Sequence, residues 1–565
     1  MMRNNPRFFE LLIEEHVITE DDAEKLKSKY NCDAVEVLNH LVKSGAKDKE
    51  YLGKLWADTF NLSYVNLEKT IFVQRAIEKI PEDFARQHNM IPIYMFENVI
   101  TVAMANPIDE TTRREAEILS GSPISPVYSF PEEIEDAIDV QYHTKDSLNE
   151  LVNKISNNSI FKSTGKITVE QMHKLAGDQA NVELARNLML MAIKERASDI
   201  HVDPMEDIIF IRFRIDGVLQ DRLKLDKSLH APLVTRLKVL SDLDITERRR
   251  PQDGRVKLEM RNKALDFRIS CMPTIYGEKI VLRALGQLVS NEIPDISELE
   301  LSNENYKVIR EVVDTPNGIF FVTGPTGSGK TTTLFSVLKH LNKPGVNVMT
   351  VEDPVEYRLP RVNQVQVNSA IGFDFSKALR SFLRQDPDVI LIGEIRDLET
   401  AKIASQAALT GHLVLASIHT NSALQAVTRL IEIGVEPFLV APSIIGVMAQ
   451  RLVRRICPHC KEEYDLTQEE INRYFISDGN TPVKFYRGKG CVDCYHTGYN
   501  GRIAIQEIFI IDETIRGMVA EGASILEINK AARNQGFKTI RYDGFKKVLM
   551  GLTTVDEVER VTAAD

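Results

Sequence analysis

The stretch that most constrains this chain is Gly324-Pro325-Thr326-Gly327-Ser328-Gly329-Lys330-Thr331. An apolar run, Ile319-Phe320-Phe321-Val322, precedes it and reads as a buried strand. Thr332-Thr333-Leu334-Phe335-Ser336-Val337-Leu338 follows, with apolar positions at helical spacing. Strand, glycine-rich loop and helix form the context in which G-x-x-x-x-G-K-T works as a P-loop. The glycines let backbone N–H groups turn inward around phosphate oxygens, and the new helix points its positive dipole end at them. Lys330 is expected to reach the β- and γ-phosphates, and Thr331 to offer its hydroxyl to Mg2+, with Gly324 through Thr332 cradling the nucleotide. The alternative, a glycine turn that only joins strand to helix, leaves the full pattern unaccounted for. A nucleoside triphosphate site is predicted.

At 565 residues the chain is too long for one hydrophobic core, so three or four domains are expected. A net charge of −11 argues against nucleic acid as the main partner. Nowhere is there a run of about 18 apolar residues, so no bilayer-spanning helix is predicted. The opening Met1-Met2-Arg3-Asn4-Asn5-Pro6-Arg7 has no apolar segment behind it and does not read as a signal peptide. A cytosolic location is the expectation, with the six cysteines reduced.

Residues 1–142 read as an N-terminal docking or regulatory domain. Short helical patterns (Phe8, Leu11, Leu12; Val35, Leu38, Leu41, Val42; Leu52, Leu55, Trp56) are broken by a helix-start signal at Thr19-Glu20-Asp21-Asp22. Two strands, 91–96 and 99–104, meet at Glu97-Asn98, and helices are expected near 109–119 and 131–142. The polar stretch 143–178 has weak periodicity and reads as a flexible linker. A second domain is placed at 179–290. There the alternation Ile209-Phe210-Ile211-Arg212-Phe213-Arg214-Ile215 puts Arg212 and Arg214 opposite an apolar face, closed by an Asp216-Gly217 turn. More arginines gather at Arg248-Arg249-Arg250 and at Arg255. Charge runs are usually solvated faces. Arginines held on a sheet ahead of a P-loop domain can also complete the phosphate site of a neighbouring subunit.

The P-loop domain is placed at 291–565. Three further apolar runs read as parallel strands, and each ends in polar residues where α/β sheets bind ligands. The ends are Glu352-Asp353-Pro354-Val355-Glu356, Gly393-Glu394-Ile395-Arg396-Asp397 and His419-Thr420-Asn421. An ATPase needs a carboxylate to orient or deprotonate water and another beside the Mg2+ shell. Glu394 is read as the second, acting through water because Gly393 stands where an Asp is usual. Glu352, Asp353 and Glu356 are candidates for the first. His419 is a candidate γ-phosphate sensor or subunit bridge, with His412 as the alternative.

Cys457-Pro458-His459-Cys460 and Cys491-Val492-Asp493-Cys494 form a four-cysteine set suited to a structural, tetrahedral Zn2+. Redox disulfides are the competing reading. Cys32 and Cys271 read as ordinary buried thiols, and 505–560 as helical with glycine breaks.

Assembled, these residues resemble the secretion-superfamily motor ATPases of the PilB/GspE branch. The marks are Ser198-Asp199-Ile200-His201, Arg212 through Gly217, Pro251-Gln252-Asp253-Gly254-Arg255, Val351 through Glu356, Gly393 through Asp397, Thr410-Gly411-His412 through His419-Thr420, and the four cysteines. The resemblance implies a multidomain α/β protein. A RecA-like P-loop ATPase domain with a zinc-binding insertion would follow a PAS-like second domain and a small N-terminal α/β domain. It also implies a homo-hexamer with ATP held between one P-loop and arginines of the second domain. Glu356 would be the catalytic glutamate, Glu394 the Walker B acid, and Arg212, Arg214 and Arg255 the matching arginines. Turnover would drive an inner-membrane platform protein that extrudes pilin beside pilus alignment proteins, or would drive type II secretion. Some members bind cyclic di-GMP at their N-terminus through glycines. Here Phe9 and His16 replace that pattern, and binding is not expected.

Overall fold

The computed structural model describes residues 5–68, 70, 72–142, 179–259, 264–284, 293–475 and 484–562. The chain divides into two units, Met1–Ser290 and Asn291–Asp565. The stretch 143–178, expected to be a linker, lies outside the described residues.

In the first unit, helices Pro6–Glu14, Glu20–Lys29, Ala34–Ser44 and Lys49–Asp58 open the chain. Side chains of Thr19, Asp33 and Asp48 cap the last three, satisfying N–H groups that a helix start leaves bare. Phe8, Leu12, Leu38, Leu52 and Trp56 fill the space between the helices. The strands Met90–Phe96 and Val99–Met104 pair antiparallel, and Ile124–Tyr128 joins the second in parallel. Helices Glu110–Ser120 and Pro131–Gln141 accompany them.

Next comes a six-stranded antiparallel sheet. Its order is Val218–Asp226, Ile208–Ile215, Asp199–Pro204, Gly277–Ala284, Ala264–Thr274, Gln252–Glu259. Ile209, Ile211, Phe213 and Ile215 share a buried core with residues of helices Gln179–Lys194 and His230–Leu240. Strand alternation therefore leaves Arg212 and Arg214 on the other face. Asp216 and Gly217 both take positive φ, 49° and 82°, as a two-residue hairpin with right-handed twist requires.

The second unit is built on a seven-stranded sheet. In spatial order its strands are Val362–Gln366, Val348–Glu352, Val389–Ile392, Leu413–Ile418, Gly318–Thr323, Ile444–Ile456 and Tyr499–Ile510. All neighbours are parallel except the last pair. The four apolar runs read from the sequence are buried throughout.

Two expectations change. Residues 505–510 are strand, not helix, because they pair along Ile444–Ile456; helices begin at Glu513. Cys32 is exposed, because it lies in the turn that follows helix Glu20–Lys29 and not on a helix face. Cys271 is buried.

Candidate functional site

The loop after Gly318–Thr323 is shaped by three glycines of positive φ: Gly324 at 148°, Gly327 at 79° and Gly329 at 87°. At Gly324 a Cβ would lie 2.5 Å from the Gln450 carbonyl oxygen and 2.6 Å from Ser328 Oγ, so backbone crowding demands glycine there. Helix Lys330–Leu341 starts directly from Gly329 with no side-chain cap. Its first N–H groups are therefore left for an anion. Ser328 Oγ is buried without a hydrogen-bond partner among the described residues. A buried orphan hydroxyl is costly, and a phosphate oxygen would satisfy it.

Lys330 Nζ donates to the carbonyls of Gly324 (2.9 Å) and Pro325 (3.1 Å), folded against its own loop. Burial pulls its pKa down, and the Glu394 carboxylate opposes that pull while Arg451 adds to it. Thr331 and Thr332 lie in the first turn of the helix, and Thr326 is exposed at the loop tip.

Strand order brings the other residues to this loop. Leu413–Ile418 lies between the P-loop strand and Val389–Ile392, so His419 and Glu394 emerge side by side. His419 Nε2 stands 3.3 Å from Glu394 Oε2, and Arg396 Nη2 stands 2.5 Å from Glu394 Oε1. Thr323 Oγ1 donates to the Ile418 carbonyl (2.7 Å) and accepts from the Thr420 N–H (2.9 Å), tying the histidine loop to the P-loop strand. A cleft beside the loop is lined by Gly324, Pro325, His419, Thr420, Asn421 and Arg429, among others.

Glu352 does not face this cleft as a free acid. It is buried and accepts from Thr350 Oγ1 (2.6 Å) and Gln364 Nε2 (3.2 Å); burial raises its pKa against those two bonds. Asp353 and Glu356 are exposed. His412 is turned to the Ala407 carbonyl at 2.9 Å, a local structural bond.

Two residues that sequence reasoning passed over touch the loop. Gln450 and Arg451 lie on Ile444–Ile456, which pairs with the P-loop strand. Arg451 donates to the carbonyls of Asn421 (2.9 Å) and Gln450 (3.1 Å). No local pattern marks them, because only strand pairing across more than a hundred residues brings them near.

In the first unit, Arg212 is held by Asp203 at 2.6 Å, and Arg214 lies 3.4 Å from Asp199. Arg255 is exposed and directly opposite Arg268, which is directly opposite Arg283. Arg283 shares Asp199 with Arg214, at 2.8 Å. Like charges directly across a sheet destabilise it, and a bound polyanion removes that cost. Arg268 and Arg283 were not singled out from sequence, since the row exists only in the sheet register.

The four cysteines meet. All ligand atoms of Cys457, Cys460, Cys491 and Cys494 lie within 4.8 Å of one another. The Sγ–Sγ distances are 3.9 Å for Cys457–Cys491, 3.9 Å for Cys460–Cys494 and 3.7 Å for Cys491–Cys494. Four sulfurs at about 2.3 Å from a tetrahedral Zn2+ stand about 3.8 Å apart. The spacing fits that ion and is far too long for disulfides. N–H groups of Gly490, Cys491 and Gly498 point at the sulfurs of Cys460 and Cys494 at 3.2–3.3 Å, as thiolates require.

Residues 174–560 match the family described as type II/IV secretion system protein. The chain belongs to this family of secretion ATPases. Residues 60–148 match the MshEN domain. The type IV pilus assembly ATPase PilB of Myxococcus xanthus is 39% identical over 566 residues, covering 99% of this chain and 99% of that one. The type II secretion system protein E of Dickeya dadantii is 42% identical over 492 residues, covering 86% of this chain and 97% of its own. Among solved structures, the pilus retraction motor PilT with bound ADP aligns at a TM-score of 0.45 and 25% identity, over 67% of this chain and 97% of that one. No helix among the described residues is long and apolar enough to cross a membrane.

Proposed function

We propose that this secretion ATPase is a hexameric motor that powers type IV pilus assembly, acting on an inner-membrane platform protein to extrude pilin. The observation that carries the chemistry is the meeting of the P-loop, Glu394 and His419 along one edge of a parallel sheet. The pilus role is supported by the end-to-end match to the Myxococcus xanthus relative, N-terminal region included.

In this reading the loop N–H groups and Lys330 hold the β- and γ-phosphates, and Lys330 exchanges its two carbonyl partners for phosphate oxygens. Thr331 would hold Mg2+, which would neutralise charge on the phosphates. Glu356 orients and deprotonates the attacking water. Glu394, held by Arg396 and His419, is the carboxylate that would stand beside Mg2+ when the ion is bound. His419 reads the γ-phosphate through that carboxylate. The arginine row of a neighbouring subunit's PAS-like domain, with Arg212, Arg214 and Arg255, closes the phosphate site; its like-charge register favours a triphosphate as ligand. The cysteine cluster holds a structural Zn2+. Work is done in the cytoplasm at the face of the inner membrane.

For the N-terminal domain we propose that cyclic di-GMP is not a ligand. Phe9 and His16 replace the glycine pattern of the binders, and Phe9 is buried among the opening helices, so the close backbone approach that glycines allow has no glycine there to permit it. Isothermal titration of the purified chain should show no heat; saturable heat at micromolar ligand would reverse this.

A second reading, a type II secretion motor, is favoured by identity of 46% over 69% of the chain to the type II secretion system protein E of Aeromonas hydrophila. Surface pili counted in a deletion strain, complemented with wild type or Lys330→Ala, decide between the two. Loss of pili restored only by wild type supports the pilus motor. Normal pili with an exported enzyme retained in the periplasm support the secretion motor.

A further inference from the structure

Strand Ile444–Ile456 carries one amide deep in the fold: Gln450 is 2% exposed. A buried amide is tolerated when its donors and acceptor are used. Here both ends are, and both partners belong to the nucleotide loop and its helix. Gln450 Nε2 donates to the Ser328 carbonyl at 2.8 Å, and Oε1 accepts from Thr333 Oγ1 at 2.9 Å. The glycine between those partners also serves the amide. A Cβ on Gly329 would lie 2.7 Å from Gln450 Nε2.

The Ser328 carbonyl and the Gly329 N–H belong to one peptide. In a planar trans peptide the two point in opposite directions. Drawing the carbonyl outward to Gln450 therefore sends the Gly329 N–H inward, toward the space that the loop encloses. A loop of glycines has no stiffness of its own with which to hold that peptide. The cross-strand partner of Gln450 is Gln506, whose Oε1 accepts from the buried Lys547 at 3.2 Å, and Lys547 pairs with Asp543 at 3.2 Å. The amide is thus backed by a second polar cluster on helix Ile540–Leu549.

We propose that Gln450 is a positioning residue for nucleotide phosphate: it fixes the Ser328–Gly329 peptide so that its N–H faces the phosphates. This rests on the ATPase reading. It acts through the loop and does not touch substrate.

The test uses the purified full chain with a fluorescent ADP analogue and Mg2+, together with steady-state hydrolysis. Gln450→Met is expected to weaken analogue binding at least tenfold at pH 8 and to raise KM more than it lowers kcat. Thr333→Val, which keeps the Ser328 bond, should cost less than threefold. Gln450→Glu keeps the acceptor for Thr333 but loses the donor. At pH 5.5 its protonated carboxyl donates again, so binding relative to wild type should recover several-fold, while Gln450→Met should not recover. A charge effect alone would leave Gln450→Met like wild type. Binding by Gln450→Met within twofold of wild type overturns the proposal, as does a pH-independent loss in Gln450→Glu. If Gln450→Met does not fold, the pH response of Gln450→Glu decides. Wild type that binds no analogue, with Lys330→Ala indistinguishable from it, brings down the ATPase reading itself and the proposal with it.

Discussion

In the proposed motor Lys330 and Glu394 carry opposite halves of the chemistry, and their substitutions should separate. Lys330→Ala removes the cation proposed to bind phosphate in both ground and transition states, so both nucleotide binding and turnover should be lost. Glu394→Gln and Glu356→Gln keep shape while removing the charge proposed to handle water. Each is expected to lower kcat by about 10²–10⁴-fold with analogue binding within a few-fold of wild type, measured by steady-state hydrolysis beside a binding titration. Equal loss of binding in all three would mean that the carboxylates hold the loop together instead. At this scale the sequence was legible where chemistry is contiguous. Gly324 through Thr331 announce themselves because one loop needs all of them. Glu352 shows the limit: adjacent to Asp353 in the chain, it is spent on Thr350 and Gln364, and only the fold reveals that.

Two elements hold the distal part of the second unit, and each gives a test. Glu557, on helix Val555–Val561, accepts from the Arg454 N–H (2.9 Å), Arg454 Nη2 (2.7 Å) and Arg560 Nε and Nη2 (2.9 and 2.7 Å). Burial alone would raise its pKa, but these bonds hold it at about 2 against an ordinary 4.5. A depressed carboxylate contributes its stability above the unfolded pKa and loses it as pH falls through the folded one. That window is from 4.5 down to about 2. The contribution is about 3 kcal/mol, so Glu557→Gln should lower urea stability by that order at pH 7. The gap to wild type should narrow as pH drops below 4.5. A gap constant with pH would contradict the ion-pair origin. The cysteine cluster predicts one zinc per chain by elemental analysis, lost in Cys460→Ser and Cys494→Ser, with a lower unfolding temperature after chelation. Protein purified without chelator and free of metal would refute it.

Elements also show why the reading from sequence stopped where it did. Fully buried parallel strands such as Leu413–Ile418 are continuous apolar runs and stand out. Ile444–Ile456 and Tyr499–Ile510 mix arginines and glutamines with apolar residues and carry no such signature, and their pairing spans the cysteine insertion. Gln450 lies on the first of them.

For the whole molecule, the proposed motor is a ring whose phosphate sites are completed between subunits. A hexamer closed by arginines in trans predicts that turnover per chain rises with concentration as rings form. Arg268→Ala and Arg283→Ala chains should poison mixed assemblies more than their mole fraction. The decisive measurement is phosphate release from ATP by the purified full chain, with Glu394→Gln run beside it. Steady Mg2+-dependent turnover that falls at least a hundredfold in Glu394→Gln while binding persists is the predicted result. Turnover that is absent in wild type, or unchanged in Glu394→Gln, would contradict the assignment of this sheet edge as the site of hydrolysis.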